Sequence, residues 1–282
     1  GYWSYLMPYY TMSAVNSQNL PGAVYLNSEG KPQIINQYDT KEFKEYIATV
    51  RSWVENGLAN DVYAPDYNAG KAEIQESPGG FTGYKPGLAE EHSRNMGFEH
   101  VAKQFSKQVL STSGIIAALT AVGANSKHPE EAVKLLEVMH TDSEIMNLLC
   151  WGLEGKHYEK VNDKQIKLIE NSGYTGIPTF YIGSMANAYF LNTQPETTIE
   201  DTKKFNDDAI VSPVLGFNPI LDKVSVECAN CQNVIGEKLE LLQLGLLDNS
   251  ETDSFVSALK AAGSDAIIAE LQRQLDEWWE NK

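Results

Sequence analysis

The stretch 126–158, SKHPEEAVKLLEVMHTDSEIMNLLCWGLEGKHY, constrains the local fold more than any other part of the chain. Pro129 suits the first position of a helix, and the two glutamates that follow it complement the positive end of the helix dipole. Apolar residues then recur at three- and four-residue steps, Thr141 and Glu144 form a capping box that restarts the helix, and Gly152 is a stop signal. The pattern predicts two successive capped helices followed by a cluster of aromatic, glycine, acidic and basic residues.

Periodicity and polarity predict the other main elements. Helices are expected over 39–55, 196–209, 223–247 and 264–279, where apolar residues recur at helical spacing or where polar helix formers dominate. A short strand is expected near Val24-Tyr25-Leu26. The run 108–124 mixes strand-like and buried character, which predicts a place in a central sheet.

Length and charge exclude several classes of protein. The 282 residues are enough for one large or two ordinary domains, and an apolar content of 42% suffices for a substantial core. The net charge of -16 argues against nucleic-acid binding, because neutralising phosphates requires clustered Lys and Arg. The apolar stretch 114–123 is only about half of the roughly 20 residues that a membrane span needs.

Four segments together resemble one known family. The cluster at 151–158, WGLEGKHY, follows a His-Pro-Glu-Glu-Ala helix start at 128–132, and this order resembles the lipoprotein branch of the extracellular solute-binding proteins of ABC importers. The helix in 36–60 that ends in Trp-x-x-x-Gly and the Gly-Tyr-Lys-Pro-Gly loop at 83–87 are similar to segments of the same family. The residues from Leu215 onward look like its C-terminal module of otherwise undefined function. The resemblance covers nearly the whole chain.

This resemblance implies an α/β fold, a two-lobed sandwich of the periplasmic-binding-protein type II kind that is incomplete at its N-terminal side. Residues 1–105 would belong mostly to the second lobe, with a cleft loop at 77–87. Residues 106–160 would return to the first lobe, and 161–215 would supply further second-lobe and cleft-loop structure. Residues 216–282 would form a C-terminal helical module.

The resemblance also implies a function. Such a protein captures a small solute, for which an oligosaccharide is the first candidate, and delivers it to the transmembrane subunits of an ABC permease. The full-length protein would be extracellular and held at the cell surface by a lipid anchor that is absent from this chain, so the 282 residues are expected to be a fragment. Two alternatives stay open: a glycan-active hydrolase, and a sensor or adhesion module with the same fold.

Sugar binding points to aromatic platforms with amides and carboxylates, because sugars present apolar C–H faces and a rim of hydroxyl groups. Trp151 is equally well explained as a core residue at a helix end, and Gly183-Ser184 stands where Gly-Asn is usual in the family, which puts a ligand hydrogen bond there in doubt. The predicted ligand-binding residues are Phe81, Tyr84, Trp151, Glu154, Tyr181 and Phe217.

The sequence predicts no catalytic residue, no metal and no cofactor. It contains no G-x-S-x-G, H-E-x-x-H or Walker A motif, and its five histidines show no metal-ligand spacing on a shared element. Cys228-Ala229-Asn230-Cys231 is consistent with a redox pair, half a zinc site or two helix residues, and its place inside an expected helix favours structural cysteines. Cys150 is expected to be a packing residue.

Overall fold

The computed structural model describes residues 3–15, 19–58, 80–174 and 176–282. It divides the chain into two compact units. Unit 1 comprises Gly1–Gly83, Gln104–Gly114 and Ala209–Lys282, and unit 2 comprises Tyr84–Lys103 and Ile115–Asp208. These boundaries differ from those of the four predicted segments, whose assignment to lobes stays a prediction. Within the described residues, no helix has both the length and the apolar character needed to cross a bilayer.

Helices and short strands alternate along the chain. The helices are α1 (Trp3–Leu6), α2 (Lys41–Glu55), α3 (Leu88–Met96), α4 (Thr112–Ile115), α5 (Pro129–Thr141), α6 (Ser143–Trp151), α7 (Thr179–Ile182), α8 (Thr198–Asp207), α9 (Ser225–Gln243), α10 (Ser250–Ala261) and α11 (Ser264–Glu280). The strands are β1 (Met12–Ala14), β2 (Gly22–Tyr25), β3 (Ile35–Asn36), β4 (Val109–Leu110), β5 (Tyr158–Lys160), β6 (Gln165–Leu168), β7 (Phe190–Leu191) and β8 (Ile210–Val211).

The helix predicted over 39–55 is confirmed as α2, and its sequence explains both ends. The Thr40 side chain accepts a hydrogen bond from the Phe43 backbone N–H, which satisfies a donor at the helix start. Phe43 and three further side chains of the same face are buried. Gly57 then adopts a φ of +67°, the left-handed conformation in which glycine ends a helix without steric strain.

Unit 1 packs a small sheet against the C-terminal helices. Strand β2 pairs antiparallel with both β1 and β3, and Gly22 lies opposite Asn36 in the register. The buried Trp3 joins distant segments, because its indole Nε1 donates to Gln37 Oε1 at 2.9 Å and its backbone N–H donates to Gln243 Oε1 at 3.1 Å. The C-terminal helices contribute these core side chains: Cys228, Cys231, Ile235, Leu239, Leu242, Phe255, Val256, Leu259, Ile267, Leu271 and Leu275.

The two helices predicted over 223–247 and 264–279 are confirmed. The two long helices are found as α9 and α11, and both cysteines of the C-x-x-C lie in α9 as buried free thiols. Helix α10 was not predicted, because its apolar positions are separated by Ser, Thr and acidic residues. Burial of Phe255 and Leu259 in the core of unit 1 nevertheless stabilises it.

The prediction of a buried central strand over 108–124 is wrong. Only Val109 and Leu110 form a strand there, and within the described residues their one strand partner is β8, which pairs in parallel. Ile115, Ile116 and Leu119 are exposed instead. An apolar run indicates that a segment can be buried, but burial requires neighbouring elements on both of its faces.

Unit 2 is built around a second small sheet and the predicted helix pair. Strand β6 lies between β5, which pairs antiparallel, and β7, which pairs in parallel. The polar helix predicted over 196–209 is found as α8. The prediction of a capping box at Thr141 is wrong, because Thr141 is the last residue of α5. Asp142 caps α6 instead, and its side chain accepts hydrogen bonds from the Glu144 and Ile145 backbone N–H groups.

Candidate functional site

The segment after α6 forms a tight loop around His157. Gly152 ends the helix at a φ of +80°, and a Cβ atom added there would lie 2.2 Å from His157 Nδ1, so only glycine fits. The Leu153 backbone N–H donates to the same Nδ1 atom at 2.9 Å. The imidazole ring stacks on Tyr174 at 4.9 Å between ring centroids. The histidine of the motif therefore closes and holds the loop.

Trp151 and Glu154 are also tied into unit 2. The Trp151 indole Nε1 donates to the Tyr189 carbonyl oxygen at 3.1 Å, and its ring packs half-buried against the small core. Glu154 forms an ion pair with Lys160 at 3.1 Å, and Lys160 lies over the Tyr189 ring. Two hydrogen bonds raise the pKa of Lys160 to about 12; the bond with Tyr189 has the larger effect and the bond with Glu154 the smaller one. These contacts anchor the motif to β5 and to the residue that precedes β7.

Asn147 is a residue of this region that sequence reasoning missed. It is buried in α6, where its side-chain Nδ2 donates to the carbonyl oxygens of Ser143 and Asn187, and its Oδ1 accepts from the Tyr189 N–H at 2.7 Å. An amide inside an otherwise apolar helix face is the signal that could have revealed it, since buried polar groups need partners. Asn147 fixes the backbone that receives Trp151.

Tyr84 lines a shallow cavity of unit 2. The cavity has a volume of about 300 Å³. Aromatic, aliphatic and charged groups share its wall, and the Tyr84 ring contacts Phe205 at 5.7 Å between centroids. Lys85 pairs with Glu91 at 2.6 Å and Gly87 has a φ of +77°, so the Gly-Tyr-Lys-Pro-Gly loop is held in place. The lining residues are Tyr84, Lys85, Pro86, Gly87, Leu88, Ala89, Glu90, Ala102, Pro195 and Asp201.

Tyr181 lies on the short helix α7 beside a second exposed aromatic residue. Phe180 is 54% exposed and Tyr181 is 58% exposed, and their ring centroids are 4.3 Å apart. Gly183 follows them, and a Cβ atom there would lie 2.5 Å from the Met139 carbonyl oxygen. The close packing of Gly183 on α5 holds the exposed pair on a fixed piece of backbone. Ser184 accepts a hydrogen bond from the Ala186 N–H and caps the next turn.

The two remaining predicted residues lie in unit 1, in different surroundings. The Phe81 ring is half-buried and stacks on Trp53 with centroids 6.3 Å apart and an interplanar angle of 12°. The exposed ring of Phe105 also contacts Phe81, with centroids 5.9 Å apart. Phe217 is 3% exposed and packs on Trp278 at 5.7 Å, so its ring is not accessible to a ligand.

The structure thus separates the six predicted residues into distinct local environments. Tyr84 and Tyr181 present accessible rings, Phe81 belongs to a partly exposed aromatic cluster, Trp151 and Glu154 anchor a loop, and Phe217 is a core residue. Among the described residues, no group of three or more His, Cys, Asp or Glu side chains could hold a metal ion. Burial raises the pKa of the Cys150 and Cys231 thiols to about 11, which keeps them protonated.

Comparison with known proteins supplies a family context for these features. Residues 213–280 match the family described as a domain of unknown function, DUF3502. Over 276 residues the chain is 25% identical to a carbohydrate ABC transporter substrate-binding protein of Streptococcus pneumoniae, a match that covers 94% of this chain and 55% of that protein. The chain therefore spans about half the length of this curated relative.

Solved structures show the same fold. The N-glycan transport solute-binding protein of Streptococcus pneumoniae superposes with a TM-score of 0.79 at 22% identity, over 96% of this chain and 61% of that one. The same protein in complex with Man1GlcNAc gives a TM-score of 0.73 over 96% of this chain and 62% of that one, at 21% identity. A protein of Bifidobacterium longum infantis described as an HMO-binding, ABC-transporter-associated solute-binding protein gives a TM-score of 0.51 at 11% identity, over 98% of this chain and 62% of that one. The predicted resemblance and the predicted α/β fold class are confirmed.

Proposed function

We propose that this chain is the solute-capturing part of an ABC importer's substrate-binding protein and that its ligand is an oligosaccharide. The observation that carries the proposal is the match to a carbohydrate ABC transporter substrate-binding protein along 94% of the chain. The likeness is not confined to one motif or to the C-terminal module. Capture and delivery of a sugar is the function that fits a chain related to such a protein along 94% of its length.

The accessible aromatic groups support a sugar as the ligand. Phe180 and Tyr181 offer two adjacent ring faces on a fixed helix, and Tyr84 borders a cavity with Lys85 and Glu90 in its wall. Ring faces bind the C–H faces of sugars, while charged and amide groups hydrogen-bond to hydroxyls. The relative crystallised with Man5GlcNAc and with Man1GlcNAc makes oligosaccharides of mannose and N-acetylglucosamine the ligand class to test first.

The finer points of the proposal concern the protein's setting. The partners would be the transmembrane subunits of an ABC permease, and the place of action would be the outer face of the cell, with a lipid anchor outside these 282 residues. The chain would perform no covalent chemistry. The relatives are binding proteins of transport systems, and none of the common hydrolase motifs occurs in the sequence.

Isothermal titration of the chain with Man5GlcNAc tests the proposal. We expect saturable binding that Tyr181→Ala weakens by about 1 to 3 kcal/mol, the loss typical of removing an aromatic anchor. Tyr9→Ala is the matched control, because Tyr9 is also a tyrosine and is 57% exposed, but lies in unit 1 outside every candidate group. It should leave the affinity unchanged.

Two results would contradict the proposal. Turnover of a chromogenic glycoside by the purified chain would support the hydrolase alternative. Absence of heat at two temperatures with every mannose or N-acetylglucosamine oligosaccharide, from a chain whose circular dichroism shows it to be folded, would contradict binding of this ligand class by the 282 residues, because a binding enthalpy that is zero at one temperature is not zero at the other.

A further inference from the structure

Two histidines of unit 2 meet beside helix α3. His92 lies on this helix, and His100 lies on the loop that follows it, eight residues further along the chain. Gly97 ends α3 at a φ of +79°, the left-handed conformation that lets the chain fold back. The two imidazole rings then lie with centroids 5.8 Å apart. Sequence spacing does not reveal this pair, because the two residues lie on different elements.

The fold holds the His100 ring in a defined orientation. Its backbone N–H donates to Ser93 Oγ at 2.8 Å, and its ring stacks on Phe98 at 4.4 Å between centroids. The ring Nδ1 lies 3.0 Å from the Phe98 carbonyl oxygen. Because a carbonyl oxygen can only accept, Nδ1 carries a proton and the uncharged ring keeps its lone pair on Nε2. A histidine that binds a metal usually donates its other ring N–H in this way.

The His92 ring can turn toward this lone pair. It is only partly buried, and its nitrogens make no hydrogen bond to the described part of the chain. Two imidazoles bound to one zinc ion through nitrogens at about 2.0 Å have ring centroids about 5 Å apart. The observed separation of 5.8 Å is close to this value. A small rotation of the His92 side chain closes the difference, because no hydrogen bond opposes it.

We infer that His92 and His100 form a binding site for a late first-row divalent metal ion, with zinc as the first candidate. Imidazole is a good ligand for zinc, copper and nickel, whereas calcium and magnesium prefer oxygen ligands. The net charge of -16 also attracts cations to the chain.

The site has two protein ligands and open positions for water. Among the described residues, no third His, Cys, Asp or Glu side chain joins the pair. Structural zinc sites have four protein ligands, so the two histidines hold an exchangeable ion that enters when metal is supplied. Bound metal would tie α3 to the loop after it. Residues 88–90 of α3 and Ala102 line the Tyr84 cavity, so the ion would restrain one wall of that cavity.

Isothermal titration of the dialysed 282-residue chain with zinc chloride alone tests the inference. We expect one zinc ion per chain. His92→Gln and His100→Gln should each weaken binding at least tenfold, because each removes one of the two ligands. His140→Gln is the matched control, since His140 is an exposed histidine of the same unit that lies on α5. It should leave the affinity unchanged.

NMR of the imidazole rings locates the metal in the unmodified chain, so the test stays decisive if a variant does not fold. Zinc should shift the ring signals of His92 and His100 and leave those of His140 in place. With zinc in excess, amide exchange in the last turn of α3 should slow severalfold.

Three outcomes would overturn the inference. The chain could give neither heat nor ring shifts up to millimolar zinc, or its affinity could survive the loss of His92 or His100. Shifts spread equally over all five histidines would show an adventitious ion only. None of these readouts involves a sugar, so they are independent of the ligand proposal.

Discussion

A contact between β2 and α11 tests whether the C-terminal module is part of the core of unit 1. A Cβ atom added at Gly22 would lie 2.5 Å from Leu271 Cδ1, well inside the 3.4 Å at which ordinary contact begins. Gly22 lies outside the segment that matches DUF3502, and Leu271 lies within it. Gly22→Ala should therefore destabilise unit 1 if this packing is real.

The magnitude follows from two opposing effects. Leu271 is fully buried, so its displacement should cost about 1 to 3 kcal/mol, the usual penalty for overpacking a core. Replacing glycine by alanine within a strand returns about 0.5 to 1 kcal/mol. Taken at the middle of each range, the net loss of stability should be about 1 kcal/mol. Leu271→Ala alone should cost about 2 to 5 kcal/mol. The double variant should lose about 1 to 3 kcal/mol less stability than the sum of the two single losses, because the methyl group of Ala at position 22 partly fills the cavity left by Leu271→Ala.

Urea unfolding monitored by tryptophan fluorescence measures these effects. In a Trp151→Phe background the tryptophan fluorescence reports on unit 1 only, because the four remaining tryptophans all lie in that unit: Trp3, Trp53, Trp278 and Trp279. Gly236→Ala is the control: a Cβ atom there meets nothing within 4 Å, and the change should stabilise α9 by about 0.5 to 1 kcal/mol. Additive effects, or a Gly22→Ala variant as stable as the unmodified chain, would refute the packing argument.

Further predictions concern Trp151, the buried thiols and metal binding. Trp151→Phe should lower the stability of unit 2 by about 0.5 to 1.5 kcal/mol through loss of the hydrogen bond to Tyr189, without weakening sugar binding; weaker binding at unchanged stability would instead place Trp151 in the ligand site. Cys150 and Cys231 should resist iodoacetamide at pH 7 in the folded chain. Because folding raises the pKa of these two thiols to about 11, their contribution to stability should be complete below about pH 8.5 and should be lost as the pH rises toward 11. Urea unfolding at several pH values measures this loss, and a free energy of unfolding that rose over the same range would contradict the prediction. A chelator should leave the melting temperature unchanged, and a clear fall would reveal a structural metal.

Local signals in the sequence determined several features of this protein. Thr40 and Pro129 start helices α2 and α5, and Gly152 ends α6, because capping is decided by residues within one helical turn. The motif around Gly152 and the C-terminal segment were also enough to indicate a resemblance to solute-binding proteins of ABC importers, and the comparisons show the same likeness. These features need no knowledge of what the helices pack against.

Only the tertiary structure decided which apolar and aromatic residues are accessible. Phe217 and Tyr181 both stand within two residues of a glycine, yet Phe217 packs against Trp278 and Tyr181 is exposed. Asn147 became a structural centre only because Asn187 and Tyr189, some forty residues later, approach it. Burial is a property of segments that meet in space, and a residue's own neighbours in the chain do not specify which distant element will cover it.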